Sequence, residues 1–178
     1  MFTLQKAKLP QAVEVGGSFY KIHTNYKYFL RLGEILKQKK AGLADFDFMY
    51  IDAIPPSRLE GIRALVEFMN PPRELPRMRE QNSERVLDYE IDAPYIYAAF
   101  MEQYGIDLIE TRLHWYKFVA LLHGLHDTEL NRIITARLYK PSGKNSEYEK
   151  TQQKQYEAWK LPDDEPDEAL DEFLNKIK

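Results

Sequence analysis

The sequence predicts a mainly α-helical fold, a single helical domain that carries a small N-terminal β-hairpin. Three observations lead there. Apolar residues recur at three- and four-residue spacing over most of the chain, helix-capping residues stand in front of those runs, and one pair of short alternating segments is joined by Gly16-Gly17. A chain of 178 residues with 44% hydrophobic residues can bury one core and lies away from the composition of disordered proteins. The domain is placed at residues 1–161 and an acidic, amphipathic C-terminal tail at residues 162–178.

Val13-Glu14-Val15 and Ser18-Phe19-Tyr20-Lys21-Ile22 alternate about the Gly16-Gly17 pair, and glycine at both turn positions allows the positive φ angles of a type I′ hairpin. Thr24 or Asn25 then caps a helix built on Tyr26, Phe29, Leu30, Ile35 and Leu36, with Lys37, Lys39 and Lys40 near its negative end and Gly42 to stop it. Residues 45–51 alternate only at first and read as strand or helix, ended by Pro55-Pro56. Ser57 and Glu60 have capping-box spacing ahead of Leu59, Ile62, Val66 and Met69, and Pro71-Pro72 blocks continuation.

From Pro71 to about Arg85 the chain reads as an exposed connector rich in proline, arginine and glutamate. Asp92 and Pro94 open a third helix, which Gly105 closes. The strongest segment is Asp107 to Gly124, apolar around much of its girth and expected to be the central helix. Asp127 starts a shorter one through Leu130, Ile133, Ile134 and Leu138, and Ser146 with Glu149 caps a polar helix ahead of Tyr156 and Trp159.

Chemistry is less well represented. No glycine-rich phosphate loop, dinucleotide fingerprint or nucleophile elbow occurs, and the chain has no cysteine for a disulfide, thiolate nucleophile or thiolate metal site. His114, His123 and His126 invite a metal-site reading, but His123 and His126 straddle the helix-ending Gly124 and no His-Glu-x-x-His pair is present, so packing roles are preferred. The acidic residues fall in caps, connector and tail rather than alone in apolar surroundings. No enzymatic activity, cofactor or metal is expected. A net charge of −3 at pH 7 argues against nucleic acid as a main partner, and glutamates interleave with Arg73, Arg77, Arg79 and Arg85. No run approaches a membrane span and the N-terminus lacks the apolar core of a signal peptide, which predicts a soluble cytoplasmic protein.

Aromatic residues make up 13% of the chain and must pack in cores or interfaces. Trp115, Tyr116 and Phe118 are read chiefly as core at helical spacing, and as candidate protein-binding residues wherever the fold leaves them facing solvent. Leu170, Phe173, Leu174 and Ile177 form a narrow apolar stripe in the acidic tail and are candidates for docking on a partner.

The run from Tyr95 through Leu108, the helix Leu113-His114-Trp115-Tyr116-Lys117-Phe118 with its Leu121-Leu122-His123-Gly124-Leu125 end, and the N-terminal Leu9-Pro10, Val13 to Gly17 and Tyr20-Lys21-Ile22 together resemble the gene-product-fifteen family of siphophages and prophages of Gram-positive bacteria. Ile133-Ile134 with Arg137, and the polar helix ending at Trp159, extend the resemblance over residues 9–161. It implies a protein of the tail-morphogenesis module acting in the host cytoplasm, a tail assembly chaperone that binds the tape measure protein; self-association is expected only through the tail stripe of Leu170, Phe173, Leu174 and Ile177, as one occupant beside the client. The alternative is a structural component of the tail. The resemblance brings no catalytic residues.

Overall fold

The structure is a computed structural model that describes residues 8–38, 40–70, 85–140 and 146–162. The expected connector from Pro71 to Glu84 and the tail residues from Asp163 onward, with Leu170, Phe173, Leu174 and Ile177, lie outside the described residues. The elements are β1 (Ala12–Val15), β2 (Ser18–Lys21), α1 (Tyr26–Leu36), a 3-10 helix (Leu43–Met49), α2 (Arg58–Met69), α3 (Ala93–Tyr104), α4 (Trp115–Gly124), α5 (Glu129–Arg137) and α6 (Glu147–Trp159). The protein is mainly α-helical with an N-terminal antiparallel hairpin, as the sequence predicts. The described residues group into two compact units, residues 8–70 with Arg112–Val119, and residues 85–111 with 120–162. The sequence reading drew no such division.

In the first unit, β1 and β2 pair with Val13 opposite Tyr20 and Glu14 opposite Phe19. Gly16 and Gly17 take φ values of 57° and 79°, the left-handed conformation that a two-residue turn of this kind demands. The chain after β2 is held by residues 49–51: the His23 N–H donates to the Met49 carbonyl at 2.8 Å and the Ile51 N–H to the Lys21 carbonyl at 3.1 Å. The segment left open between strand and helix is thus a 3-10 helix whose last residues edge the hairpin. Asn25 caps α1, its side-chain oxygen accepting from the Lys27 N–H at 3.0 Å, and α1 ends at Leu36, before the glycine expected to stop it. Ser57 caps α2 as its spacing with Glu60 predicts.

The expected helix over residues 107–124 begins only at Trp115. Two competing sets of backbone bonds explain the loss of its first half. The Asp107 carboxylate accepts from the N–H groups of Ile109 and Glu110, at 2.8 and 3.2 Å, and closes a local turn. The next residues then pair with the start of α1, the Tyr26 N–H donating to the Leu113 carbonyl at 2.9 Å and the Trp115 N–H to the Thr24 carbonyl at 2.8 Å. Helical periodicity was real from residue 115 onward; before it, tertiary bonds outweigh it.

The second unit packs α3, α5 and α6, with Ile96, Phe100, Leu122, Leu125, Leu130 and Ile133 buried. Gly105 ends α3 at φ 63°, donating to the Met101 carbonyl, while the Ile106 N–H reaches the Phe100 carbonyl at 3.3 Å. Thr128, rather than Asp127, caps α5, in a reciprocal arrangement with Asn131. Ser146 caps α6, which buries none of its residues fully.

Candidate protein interface

The aromatic residues around the start of α4 form the core of the first unit. Phe29 stacks on Trp115 and Phe68 with centroids 5.2 and 5.4 Å away, Phe68 stacks on Tyr116 at 4.8 Å, and Tyr26 on Phe118 at 4.5 Å. Trp115, Tyr116 and Phe118 are 3%, 7% and 1% exposed, so they hold the packing role and present no surface to a partner. The Trp115 indole N–H donates to the Met69 carbonyl at 2.9 Å, which satisfies its one polar group inside the core. Burial pushes the Tyr116 phenol up to about 12.

His114 is half-buried against Phe68 and Tyr116. Its Nε2 lies 2.9 Å from the Pro10 carbonyl and its Nδ1 accepts from the Tyr116 backbone N–H at 3.1 Å, a pairing that requires the neutral ring protonated on Nε2. Burial lowers its pKa below the ordinary value, against the upward pull of the Pro10 bond. The residue ties the N-terminal segment to the first turn of α4, supplying an N-cap that the sequence reading did not assign. His126, by contrast, is exposed and bonds to Gln103, with 2.6 Å between the Gln103 Nε2 and the ring Nδ1. Among the described residues no group of three or more His, Asp or Glu side chains is arranged to hold a metal ion.

A second polar centre lies within the second unit. Asp92 and Arg137 are both buried and form a bidentate ion pair, Nη1 to Oδ2 at 2.6 Å and Nη2 to Oδ1 at 2.8 Å. Arg137 also donates to the carbonyls of Val86, at 3.0 Å, and Trp159, at 2.7 Å. Asp92 accepts in addition from the Asp88 N–H, and Asp88 pairs with Arg85 while capping Glu90 and Ile91. The hydrogen bonds of Asp92 and Arg137 described here run to protein groups, which gives the pair the character of a fastening. A cavity of about 520 Å³ between α5 and α6 is open to solvent, lined by Thr128, Asn131, Arg132, Thr135, Tyr148 and Gln152 among others.

Among the described residues, two of the exposed surfaces bear on an interface. On α3, Pro94, Ala98 and Met101 are exposed at four- and three-residue spacing, beside the half-buried Tyr97. The Tyr97 hydroxyl bonds to the Asp107 carboxylate, which also accepts from the Ile109 N–H, and the Ile109 side chain is 67% exposed. The α3 residues of this face carry no charge before Glu102, and the Asp107 and Glu110 carboxylates border it at Tyr97. In the first unit, His23 stacks on Tyr28 at 4.2 Å, Tyr28 on Phe48 at 6.2 Å, and the Arg31 guanidinium lies 4.4 Å over the Phe48 ring. The three rings are half-buried and Arg31 is exposed. Sequence reasoning took the α3 residues as evidence of a helix without assigning them a surface. The run Pro94, Tyr97, Ala98, Met101 without a charge was the available signal; the ring stack, drawn from three separate elements, left none.

The family model of the Bacteriophage Gp15 protein matches residues 6–161, most of the chain. The chain belongs to the bacteriophage Gp15 family. No curated protein and no solved structure matches it. As a Gp15 family member it is a phage structural or assembly protein, whose partners are other phage proteins. Among the described residues no helix is long and apolar enough to cross a membrane.

Proposed function

We propose that the chain is a non-enzymatic tail assembly chaperone that binds the tape measure protein in the host cytoplasm and is released as the tail is built. Family membership supplies the phage setting. The observation that carries the binding role is the exposed face of α3, with Pro94, Ala98 and Met101 as anchors. An exposed helix face of this kind suits docking of an apolar helical client, and its helix is closed at Gly105 and anchored at Asp92, so little ordering is needed on binding.

Co-expression with the tape measure protein of the same genome tests the reading. The client is expected to stay soluble and to co-purify, and Ala98→Glu with Met101→Glu should abolish co-purification while leaving the circular dichroism unchanged. An insoluble client in the presence of the wild-type chain would refute the role. Mass spectrometry of virions separates it from a structural tail component, since a chaperone is absent from the finished particle.

A further inference from the structure

The apolar line along α3 is bordered by charge of one sign. At about 100° per residue, Pro94, Ala98 and Met101 follow one exposed line, with Tyr97 on one flank of it and Glu102 on the other. On the first flank the Tyr97 phenol bonds to the Asp107 carboxylate, and its pKa is raised by burial and then by Asp107 and Glu110, which sets both carboxylates at that edge. Glu102 is exposed on the opposite flank, and Glu90 is exposed in the turn that leads into the helix, where its carbonyl accepts from the Ala93 N–H at 3.3 Å. No lysine or arginine stands between Arg85 and Arg112, a stretch with six acidic residues. Asp88 and Asp92 are buried and paired with Arg85 and Arg137; Glu90, Glu102 and Glu110 are exposed and Asp107 is half-buried. By contrast α6 alternates both signs, with Glu147 paired to Lys150 and Glu157 to Lys160.

An apolar line between carboxylates discriminates among the helices that could cover it. A second copy seated face to face sets Glu102 and Glu110 against carboxylates of the same face. A helix built on Leu170, Phe173, Leu174 and Ile177 brings the acids beside those residues in the sequence and is repelled in the same way. We propose that the partner segment seated on α3 is an amphipathic helix whose apolar stripe is flanked on both sides by lysine or arginine. Its stripe lies over Pro94, Ala98 and Met101, with cations toward Glu102 on one flank and toward Asp107 and Glu110 on the other. This partner is a narrower form of the apolar helical client proposed above, so it rests on that binding role. The apolar contacts hold the complex, and the charged rim selects the partner, speeds its arrival and makes binding sensitive to salt.

Three labelled synthetic helical peptides that share one leucine stripe and differ in their flanks, lysine, glutamine or glutamate, supply the probe, with binding to the full-length chain read by fluorescence anisotropy. The lysine-flanked peptide should bind about tenfold more tightly than the glutamine-flanked one, lose that advantage as salt is raised toward about 1 M, and leave the glutamate-flanked peptide weakest. Glu102→Lys with Glu110→Lys changes two exposed positions and should invert the order with unchanged circular dichroism. Ala98→Gln with Met101→Gln removes apolar anchors without adding charge and should weaken all three peptides. Equal binding of the lysine- and glutamine-flanked peptides overturns the proposal and leaves the client-binding role standing. A lysine preference that survives Glu102→Lys with Glu110→Lys assigns the attraction to acids elsewhere on the chain and overturns it too, as does failure of all three peptides to bind. An insoluble client in co-expression is the separate result that sinks the client-binding role itself.

Discussion

Gly61 lies inside α2, where alanine would ordinarily be preferred by about 1 kcal/mol. Here a Cβ would stand 2.7 Å from the Tyr50 hydroxyl oxygen and 3.2 Å from the Pro55 Cγ. Overpacking of this severity costs about 1–3 kcal/mol, so Gly61→Ala is expected to be neutral to about 2 kcal/mol destabilising after the helix gain is subtracted. The Tyr50 hydroxyl is itself buried without a hydrogen-bond partner among the described residues, and burial, then the nearby Asp47 carboxylate, raises its pKa. Removing it by Tyr50→Phe relieves a desolvation cost of about 1 kcal/mol and opens the space that the new methyl needs. The double variant should therefore recover the helix gain and be more stable than Tyr50→Phe alone. Urea denaturation of the wild type, both single variants and the double variant gives the coupling directly, with an expected value of about 1–3 kcal/mol. Additive effects would show that the hydroxyl is not what keeps residue 61 a glycine.

Three further outcomes follow from the same geometry. Arg137→Met leaves the Asp92 carboxylate buried without its partner and should cost about 3–5 kcal/mol in denaturant unfolding. Arg137→Lys keeps the charge but cannot serve both carboxylate oxygens and two carbonyls at once, so it should fall between Met and the wild type. His114 has a folded-state pKa below the 6.5 of a free imidazole, so the unfolded chain takes up the proton first as pH falls. Its contribution is fully present above pH 6.5 and declines toward the lowered value; urea midpoints compared between about pH 7.5 and about pH 5.5 should drop less in His114→Gln than in the wild type.

Much of the fold was legible because local signals and tertiary structure agree. The hairpin follows from two glycines at the turn, α2 and α6 from their serine caps, and the end of α3 from Gly105. Where they disagree the sequence misleads: apolar periodicity continues through residues 107–114, but backbone pairing with residues 24–26 and the Asp107 turn take those groups first. The buried role of Trp115, Tyr116 and Phe118 was visible in their spacing. Their candidacy as an interface was not sustained, because α1 and α2 bring Tyr26, Phe29 and Phe68 over them from positions far away in the chain. The Asp92–Arg137 pair was illegible for the same reason, its members lying 45 residues apart. Asp92 read as a helix start, which it is, and gave no sign of its second partner.

Arg137 also determines how α6 comes loose. That helix buries no residue fully, and its C-terminal end is held by the Arg137 bond to the Trp159 carbonyl and by an edge contact of Trp159 with Tyr95, centroids 5.6 Å apart. Fully buried apolar side chains hold α5, whereas α6 is held through partly buried contacts with α5, the Tyr139–Glu149 hydrogen bond, the Arg137 guanidinium and the Trp159 ring. Amide protons of residues 151–159 should therefore exchange with solvent through a local opening well below the cost of global unfolding, in a separate step from those of residues 133–137.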